Sequence, residues 1–489
     1  MTVEQSLKHK TLHALSWSFL ESIGLQGIRF AIGIVLARIL FPEQFGLIAM
    51  LTIFIAVAQS FLDSGFGAAL IQKRDVTQID TCSIFYFNIM VGVVAAGVLC
   101  LIAPLIATFY NQPILTPLTR ALSLVIVINS FGLIQTSILS KNIDFKAQTK
   151  VSLIAGIISG IMGIILAIMG FGVWSLVVQQ ITSTFFRTLL LWFFSDWRPT
   201  LIFSFRSLRE MFGFGSRLLA SGLLNQIFDN IYLLVIGKLF SARDLGFFTR
   251  ALNFQELPSS TLSRMVDRVT FPVFSSIHDD PARLKRGLKK ALTTLVLVNF
   301  PMMIGLAVIA RPLVLMLLTE KWAESIPYLQ LLCFVGLLFP LQVINLNLLK
   351  ALGRSDLFLR LEIIKKVLII MNIAITWRWG ISCIIYGMIV TSIISYYLNS
   401  KYTGILIGYS ILEQVRDMCS CLIMALLMGT AVYALGFLTF PNYYSLLFLQ
   451  VTFGSFVYLI LCRMFRITAF MEIWQMGWGK ILPSTAGTK

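Results

Sequence analysis

Ala37-Arg38-Ile39-Leu40-Phe41-Pro42-Glu43-Gln44-Phe45-Gly46 returns, 200 positions later, as Gly237-Lys238-Leu239-Phe240-Ser241-Ala242-Arg243-Asp244-Leu245-Gly246. Each stretch joins two long apolar runs, so the repeated unit is a corner between membrane helices. The echo continues with a small slip: Ile102-Ala103-Pro104-Leu105 is answered by Ile309-Ala310-Arg311-Pro312-Leu313, and Leu133-Ile134-Gln135 by Pro340-Leu341-Gln342. Two similar membrane halves are expected to enclose a path between them, and the duplication therefore predicts a transporter.

Of the 489 residues, 57% are hydrophobic and 12% charged, with a mean hydropathy of +0.86. Soluble domains are about 45 to 50% apolar and about 25% charged. Apolar runs of about 20 residues, enough to cross a hydrocarbon core about 30 Å thick, recur from end to end. Spans are predicted over 12–37, 46–70, 82–107, 118–140, 150–170, 173–194, 211–237, 246–275, 289–317, 327–349, 361–377, 380–400, 415–438 and 443–462, which makes about 14 transmembrane helices. The fold class is an all-α integral membrane protein.

A net charge of +17 would suit a nucleic-acid binder, but the distribution argues otherwise. With the N-terminus in the cytoplasm, 26 of the 39 Lys and Arg lie at or beyond the inner ends of spans, 8 at or beyond the outer ends and 5 deeper within spans. That asymmetry predicts two cytoplasmic termini, and it assigns the charge to anionic membrane lipids, with no nucleic acid as partner. The seven cysteines lie in or beside apolar runs without metal-type spacing and imply no disulfide framework. Lys8 and Lys10 precede an apolar run interrupted by Glu21 and Arg29, which is expected to stay as the first span rather than be cleaved.

No flexible linker divides the chain. The polar connection from Asp196 to Glu210 marks the boundary, its second part expected as a short amphipathic helix on the membrane surface. The N-terminal lobe is then 1–210 with spans one to six, and the C-terminal lobe is 211–402 with spans seven to twelve. Residues 403–489 add two spans and a cytoplasmic tail. Asp279-Asp280-Pro281 reads as a helix start at the inner surface.

The search for catalytic chemistry is nearly empty. His9, His13 and His278 sit at the inner edge in no metal-binding arrangement, and Gly477-Trp478-Gly479-Lys480 lacks the spacing of a phosphate-binding loop. No metal, nucleotide or other cofactor is expected, and no enzymatic activity.

Charges inside the spans carry the remaining signal. A charge at a lipid-facing helix centre costs about 2.5 to 3.5 kcal/mol, so these must face an interior. In the first span Ser18, Ser22, Gln26 and Arg29 step by three or four residues, a stripe on one helix face; Arg217, Ser221, Asn225 and Asp229 repeat it in span seven. Asn253, Glu256, Ser260, Arg264 and Asp267 or Arg268 form a third stripe in span eight, which Pro258 is expected to kink. Five arginines within spans (Arg29, Arg187, Arg217, Arg264, Arg268) are matched by five acids (Glu21, Asp63, Asp229, Glu256, Asp267), so pairing between helices is the competing explanation.

Phe212-Gly213-Phe214-Gly215, Asp229-Asn230, Ile236-Gly237, Asp244-Leu245-Gly246, Arg250-Ala251, Pro258 and Phe271-Pro272-Val273-Phe274-Ser275, with Leu62-Asp63-Ser64-Gly65-Phe66-Gly67 and Ala69-Leu70-Ile71-Gln72, resemble the bacterial polysaccharide flippases and exporters, especially the colanic-acid-exporter type. The resemblance implies the superfamily that also holds MATE multidrug extruders and the lipid II flippase. It implies two six-helix lobes around a central cavity, alternating access, and a place in the inner membrane. The implied substrate is an undecaprenyl-diphosphate-linked oligosaccharide repeat unit for exopolysaccharide, capsule or O-antigen, with polysaccharide polymerase and chain-length machinery as further partners. The two last spans are implied as a groove for the lipid tail. The family's cavity is usually cationic, whereas acids here equal arginines.

On this reading Arg29, Arg217, Arg264 and Arg268 draw in the diphosphate, while Gln26, Ser221, Asn225 and Asn253 meet sugar hydroxyls. Glu21, Asp63, Asp229, Glu256 and Asp267 gate the path or couple it to an ion. The alternatives are an ion-coupled extruder of small amphiphiles, which needs an apolar aromatic pocket, and a membrane glycan polymerase or ligase, which needs a large outer loop.

Overall fold

The computed structural model describes residues 24–478 apart from 64, 74, 143 and 439–441. Helix α1 covers 24–39. There follow α2 Pro42–Asp63, α3 Phe66–Gln72, α4 Gln78–Tyr110, α5 Leu115–Ser130, α6 Leu133–Lys141, α7 Phe145–Ile168, α8 Val173–Phe194, α9 Phe205–Asp229, α10 Ile231–Leu239 and α11 Ala242–Ser276. The remainder is α12 Pro281–Val308, α13 Ala310–Leu318, α14 Ser325–Ala351, α15 Ser355–Thr376, α16 Ile381–Ile407, α17 Ile411–Leu435, α18 Tyr443–Met464 and α19 Thr468–Trp478. No strand occurs among the described residues, as expected where lipid leaves backbone groups to be satisfied within each segment.

Over its described residues each predicted span meets a helix or a broken pair of helices; of the first span only 24–37 is described. Eight helices are long and apolar enough to cross a membrane, and two bent pairs, α5 with α6 at 41° and the 218–229 part of α9 with α10 at 42°, bring the number to ten. Helices α8, α11 and α15 carry too many polar or charged residues to pass on composition, and α1 is described over too short a stretch. Span two breaks into α2 and α3 at Gly65, whose φ of 71° is left-handed. A Cβ there would also press on the backbone of Gly215 at 2.8 Å, so glycine serves both the turn and the approach of α9.

The separate surface helix expected near Arg206 does not form. Ser204 caps α9, and the helix runs from Phe205 to Asp229 without a break. Pro258 and Pro272 both lie inside α11, which continues through them as one helix. Four of the helices that start on the side assigned to the cytoplasm, the inner side, are capped by side chains: Thr77 and Asp80 form a capping box on α4, Asp144 caps α7, Asp280 caps α12 and Ser410 caps α17. Asp279-Asp280-Pro281 is thus a helix start, with Pro281 in the first turn.

Contacts divide the chain into two compact units, one ending at Thr249 and the other starting at Arg250. In the first, glycines let α7 approach its neighbours: Gly160 lies against Ile32 of α1, and Gly163 against Gln179 of α8. In the second, one core joins Leu288, Leu292 and Val296 of α12 to Leu348 of α14, Ala425 of α17 and Tyr458 of α18. The two last spans are therefore built into this unit. Tyr458 donates to the Leu297 carbonyl at 2.9 Å, and three ion pairs hold the inner ends together: Lys285 with Glu413 at 2.7 Å, Lys289 with Asp417 at 2.8 Å and Lys290 with Glu472 of α19 at 2.6 Å.

Candidate functional site

The three polar stripes differ in how much of them the structure describes. Ser18, Glu21 and Ser22 lie outside the described residues; on α1, Gln26 is half-buried and Arg29 exposed. On α9, Ser221, Asn225 and Asp229 are exposed, and the side chain of Arg217 is not among those described. Asp63, the last residue of α2, is exposed and lies within electrostatic reach of Arg187 on α8, a pairing that sequence spacing did not suggest.

Helix α11 has two polar faces with different solutions. On one, Gln255, Ser259, Ser263 and Thr270 are buried. Their groups are satisfied locally: Gln255 donates to Ser259 at 2.9 Å, Ser263 to the Ser259 carbonyl at 2.7 Å and Thr270 to the Val266 carbonyl at 2.8 Å. Asn347 of α14 donates in turn to the Thr270 hydroxyl at 3.0 Å. Hydroxyls bonding back one turn let a polar face sit inside protein. On the other face Asn253, Glu256, Arg264, Asp267 and Arg268 are exposed. A charge turned to lipid costs about 2.5 to 3.5 kcal/mol, so that face is tolerated only against water or against other protein groups, and Glu256 and Arg264 each have an interaction partner. The same spacing that predicted the stripe thus meets an exposed, charged face along α11.

Several features escaped the sequence reading. Arg250, grouped with the outer connection, lies about two turns inside α11 with its guanidinium 5.4 Å from the ring of the fully buried Trp322. The repeat held the clue, because α11 had to start at 242 as α2 starts at 42. The connection between the repeats is pinned to α4: Asp80 is buried, pairs with Lys73 at 2.7 Å and accepts from Ser207. Trp197 donates to Gln78 at 2.9 Å and to Thr81 at 3.0 Å. Thr77-Gln78-Ile79-Asp80 is a legible capping pattern, but its long-range partners were not. Among the described residues no group of three His, Cys, Asp or Glu side chains gathers.

In the second unit α12, α14 and α17 leave an open apolar hollow of about 250 Å³, lined by Met303, Cys333, Phe334, Leu337, Leu426 and Tyr433 among others. Its lining is almost free of polar surface, which suits a hydrocarbon chain and no charged ligand.

Residues 35–327 match a family model described as polysaccharide biosynthesis protein. The chain belongs to that family. It is 30% identical over 408 residues to the lipopolysaccharide biosynthesis protein WzxC of Escherichia coli (strain K12), covering 81% of this chain and 82% of that relative. Among solved structures it is similar to the lipid II flippase MurJ in an inward closed conformation, with a TM-score of 0.75 at 16% identity over 93% of this chain and 98% of that one. An inward-facing MATE family transporter of the MOP superfamily follows at a TM-score of 0.62 and 17% identity, over 78% of this chain and 95% of that one. These likenesses establish the fold: the family member is a multi-pass helical membrane protein with the architecture of that transporter superfamily.

Proposed function

We propose that this protein flips an undecaprenyl-diphosphate-linked oligosaccharide repeat unit across the bacterial inner membrane by alternating access, supplying exopolysaccharide, capsule or O-antigen assembly. The observation that carries the proposal is the exposed face of α11, where Glu256, Arg264, Asp267 and Arg268 share one side of a membrane helix with Asn253. Arginine forks suit a diphosphate, and amide groups suit sugar hydroxyls. Arg29, Arg217, Gln26, Ser221 and Asn225 extend the same chemistry on α1 and α9, while Glu21, Asp63 and Asp229 supply gating or coupling charges. The apolar hollow of α12, α14 and α17 suits the isoprenoid tail.

The lobes of the repeat are 1–210 and 211–402, with 403–489 adding two spans and a tail, and both termini face the cytoplasm. Membership of the polysaccharide family supports a glycan cargo. A MATE-like extruder of small amphiphiles shares the fold but asks for an apolar pocket where α11 presents four charges. The test is deletion of the gene. Loss of one surface or secreted glycan, with its lipid-linked repeat unit still made and retained inside, is the expected result; absence of the repeat unit would place the protein in synthesis. A cysteine introduced by Gln112→Cys is expected to react with an impermeant thiol reagent added outside intact cells, and one introduced by Asp279→Cys is not; the reverse pattern would invert the topology.

A further inference from the structure

Two helices of the second unit lose a backbone bond at a proline, and in both a side chain from a neighbouring helix replaces it. Pro301 lies inside α12 and Pro340 inside α14. A proline has no N–H, so the carbonyl four residues earlier, Leu297 in α12 and Gly336 in α14, lacks its usual donor. Buried in a membrane protein, such a group must find its donor in another helix. Tyr458 of α18 donates its hydroxyl to the Leu297 carbonyl at 2.9 Å. Asn299 of α12 donates its amide to the Gly336 carbonyl at 3.2 Å and to that of Leu337 at 2.9 Å. Both donors are buried, Asn299 completely.

The two replacements form one line. Leu297, Asn299 and Pro301 fall within five residues of α12, so α18 is bonded to α12 just before its proline, and α12 to α14 just before the second one. Gly336 lets the helices come this close, because a Cβ there would meet the Met303 sulfur at 2.7 Å and the Gln255 amide. Beyond the prolines lies the apolar hollow. Its α12 wall, with Met303, Ile304 and Ala307, follows Pro301, and its α14 wall, with Cys333, Phe334 and Leu337, precedes Pro340. Each wall is the part of a helix that can swing at a missing backbone bond, and both point toward the side that charge asymmetry assigns to the periplasm.

We infer that Tyr458 and Asn299 are positioning residues that set the width of this hollow, holding its two hinged walls by the carbonyls that the prolines leave free. At about 250 Å³ the hollow falls below the range of about 300 to 1,000 Å³ common for ligand pockets, so taking in more of a long hydrocarbon chain requires the walls to part. A side-chain donor can turn away and return, as a backbone N–H inside a helical turn cannot. Each replacement therefore leaves its wall movable where an unbroken helix would be stiff. That the chain is an isoprenoid tail rests on the flippase reading, whereas the hinges rest on the two carbonyls alone.

The experiment is a pair of double-mutant cycles on the full chain in proteoliposomes. Cys333, 1% exposed in the wall of the hollow, is kept as reporter and the other cysteines are replaced. The probe is N-ethylmaleimide. Tyr458→Phe, which removes only the hydroxyl, is expected to raise the labelling rate of Cys333 at least fivefold. Pro301→Ala returns an N–H to the Leu297 carbonyl, so adding Tyr458→Phe to it is expected to change the rate less than twofold. Asn299→Leu is expected to raise the rate in the same way when alone and to be silent beside Pro340→Ala. An equal rise with and without the proline, coupling at one proline only, or no rise in either single variant would overturn the shared control of the walls. If a single variant fails to insert, the matching proline substitution is expected to restore its level, and lack of rescue would overturn it too. Undecaprenyl diphosphate added to the proteoliposomes is expected to slow labelling of Cys333 in the parent and not in Pro301→Ala with Pro340→Ala, whose walls cannot part; equal slowing in both would remove the hinges. Coupled cycles with no slowing in the parent would keep the hinges and sink the isoprenoid tail as the occupant instead.

Discussion

Helices α2 and α11 occupy the same place in the two repeats and begin with the same geometry, yet they part company within three turns. Ile53 and Ala56 of α2 stand where α11 has Asn253 and Glu256. The most apolar window of α2 has a mean hydropathy of 2.2 and half of it is buried, whereas the outward face of α11 carries four charges. The difference separates two kinds of constraint. The start is held by contact between the repeats, where a Cβ on Gly46 would overlap the Ala242 carbonyl and one on Gly246 the Pro42 carbonyl, while the rest of each helix has been free to specialise. One copy became a packing element and the other a polar wall, so a pseudo-symmetric scaffold presents an asymmetric surface.

Four experiments can break or sharpen that comparison. The largest effect is expected where repeat-equivalent positions bear opposite charges. Arg29→Ala and Asp229→Ala should each abolish glycan export without preventing insertion, on the reading that the two opposite charges meet across the path in one conformation of the cycle and that removing either strands the other. The exchange Arg29→Asp with Asp229→Arg should restore part of it. Full export by either single variant removes both residues from the mechanism; failure of the exchange alone leaves Arg29 as a diphosphate ligand and removes the gate.

Next, Arg264→Ala with Arg268→Ala should lower export at least a hundredfold, about 2.7 kcal/mol in rate terms, while Ser60→Ala on α2 should leave it within twofold. Equal effects on the two helices would refute the division of labour. A smaller change is expected at the pinned connection. Asp80→Asn removes the charge that Lys73 and Ser207 share and should cost about 1 to 3 kcal/mol, read as a lower Tm of the solubilised protein. No change in Tm would make the connection dispensable. The smallest belongs to the ion pairs that bind the last spans: Lys289→Ala loses a half-exposed partner of Asp417 and should cost at most about 1 kcal/mol, with the difference from the parent shrinking at high salt. A larger, salt-insensitive loss would mean that this pair holds the inner ends of α12 and α17 together by more than surface charge.

The amino-acid sequence by itself determined the membrane class, the helix positions and the duplication, because apolar run length and a fixed offset are local properties that lipid enforces without reference to neighbours. It also marked the exposed stripe of α11, since a three-to-four residue step implies one helix face whatever packs on the other. It did not reveal that Gln255, Ser259 and Ser263 form a second, buried polar face, that Asp80 reaches Ser207, or that Arg250 lies over Trp322, since each depends on which surface another helix covers. The corner that disclosed the fold shows the limit most clearly. Its glycines were legible as an echo from the first reading, but only the tertiary structure decided that Gly46 and Gly246 lie against each other's helices, because contact across 200 residues is set by packing and leaves no periodic mark in the chain.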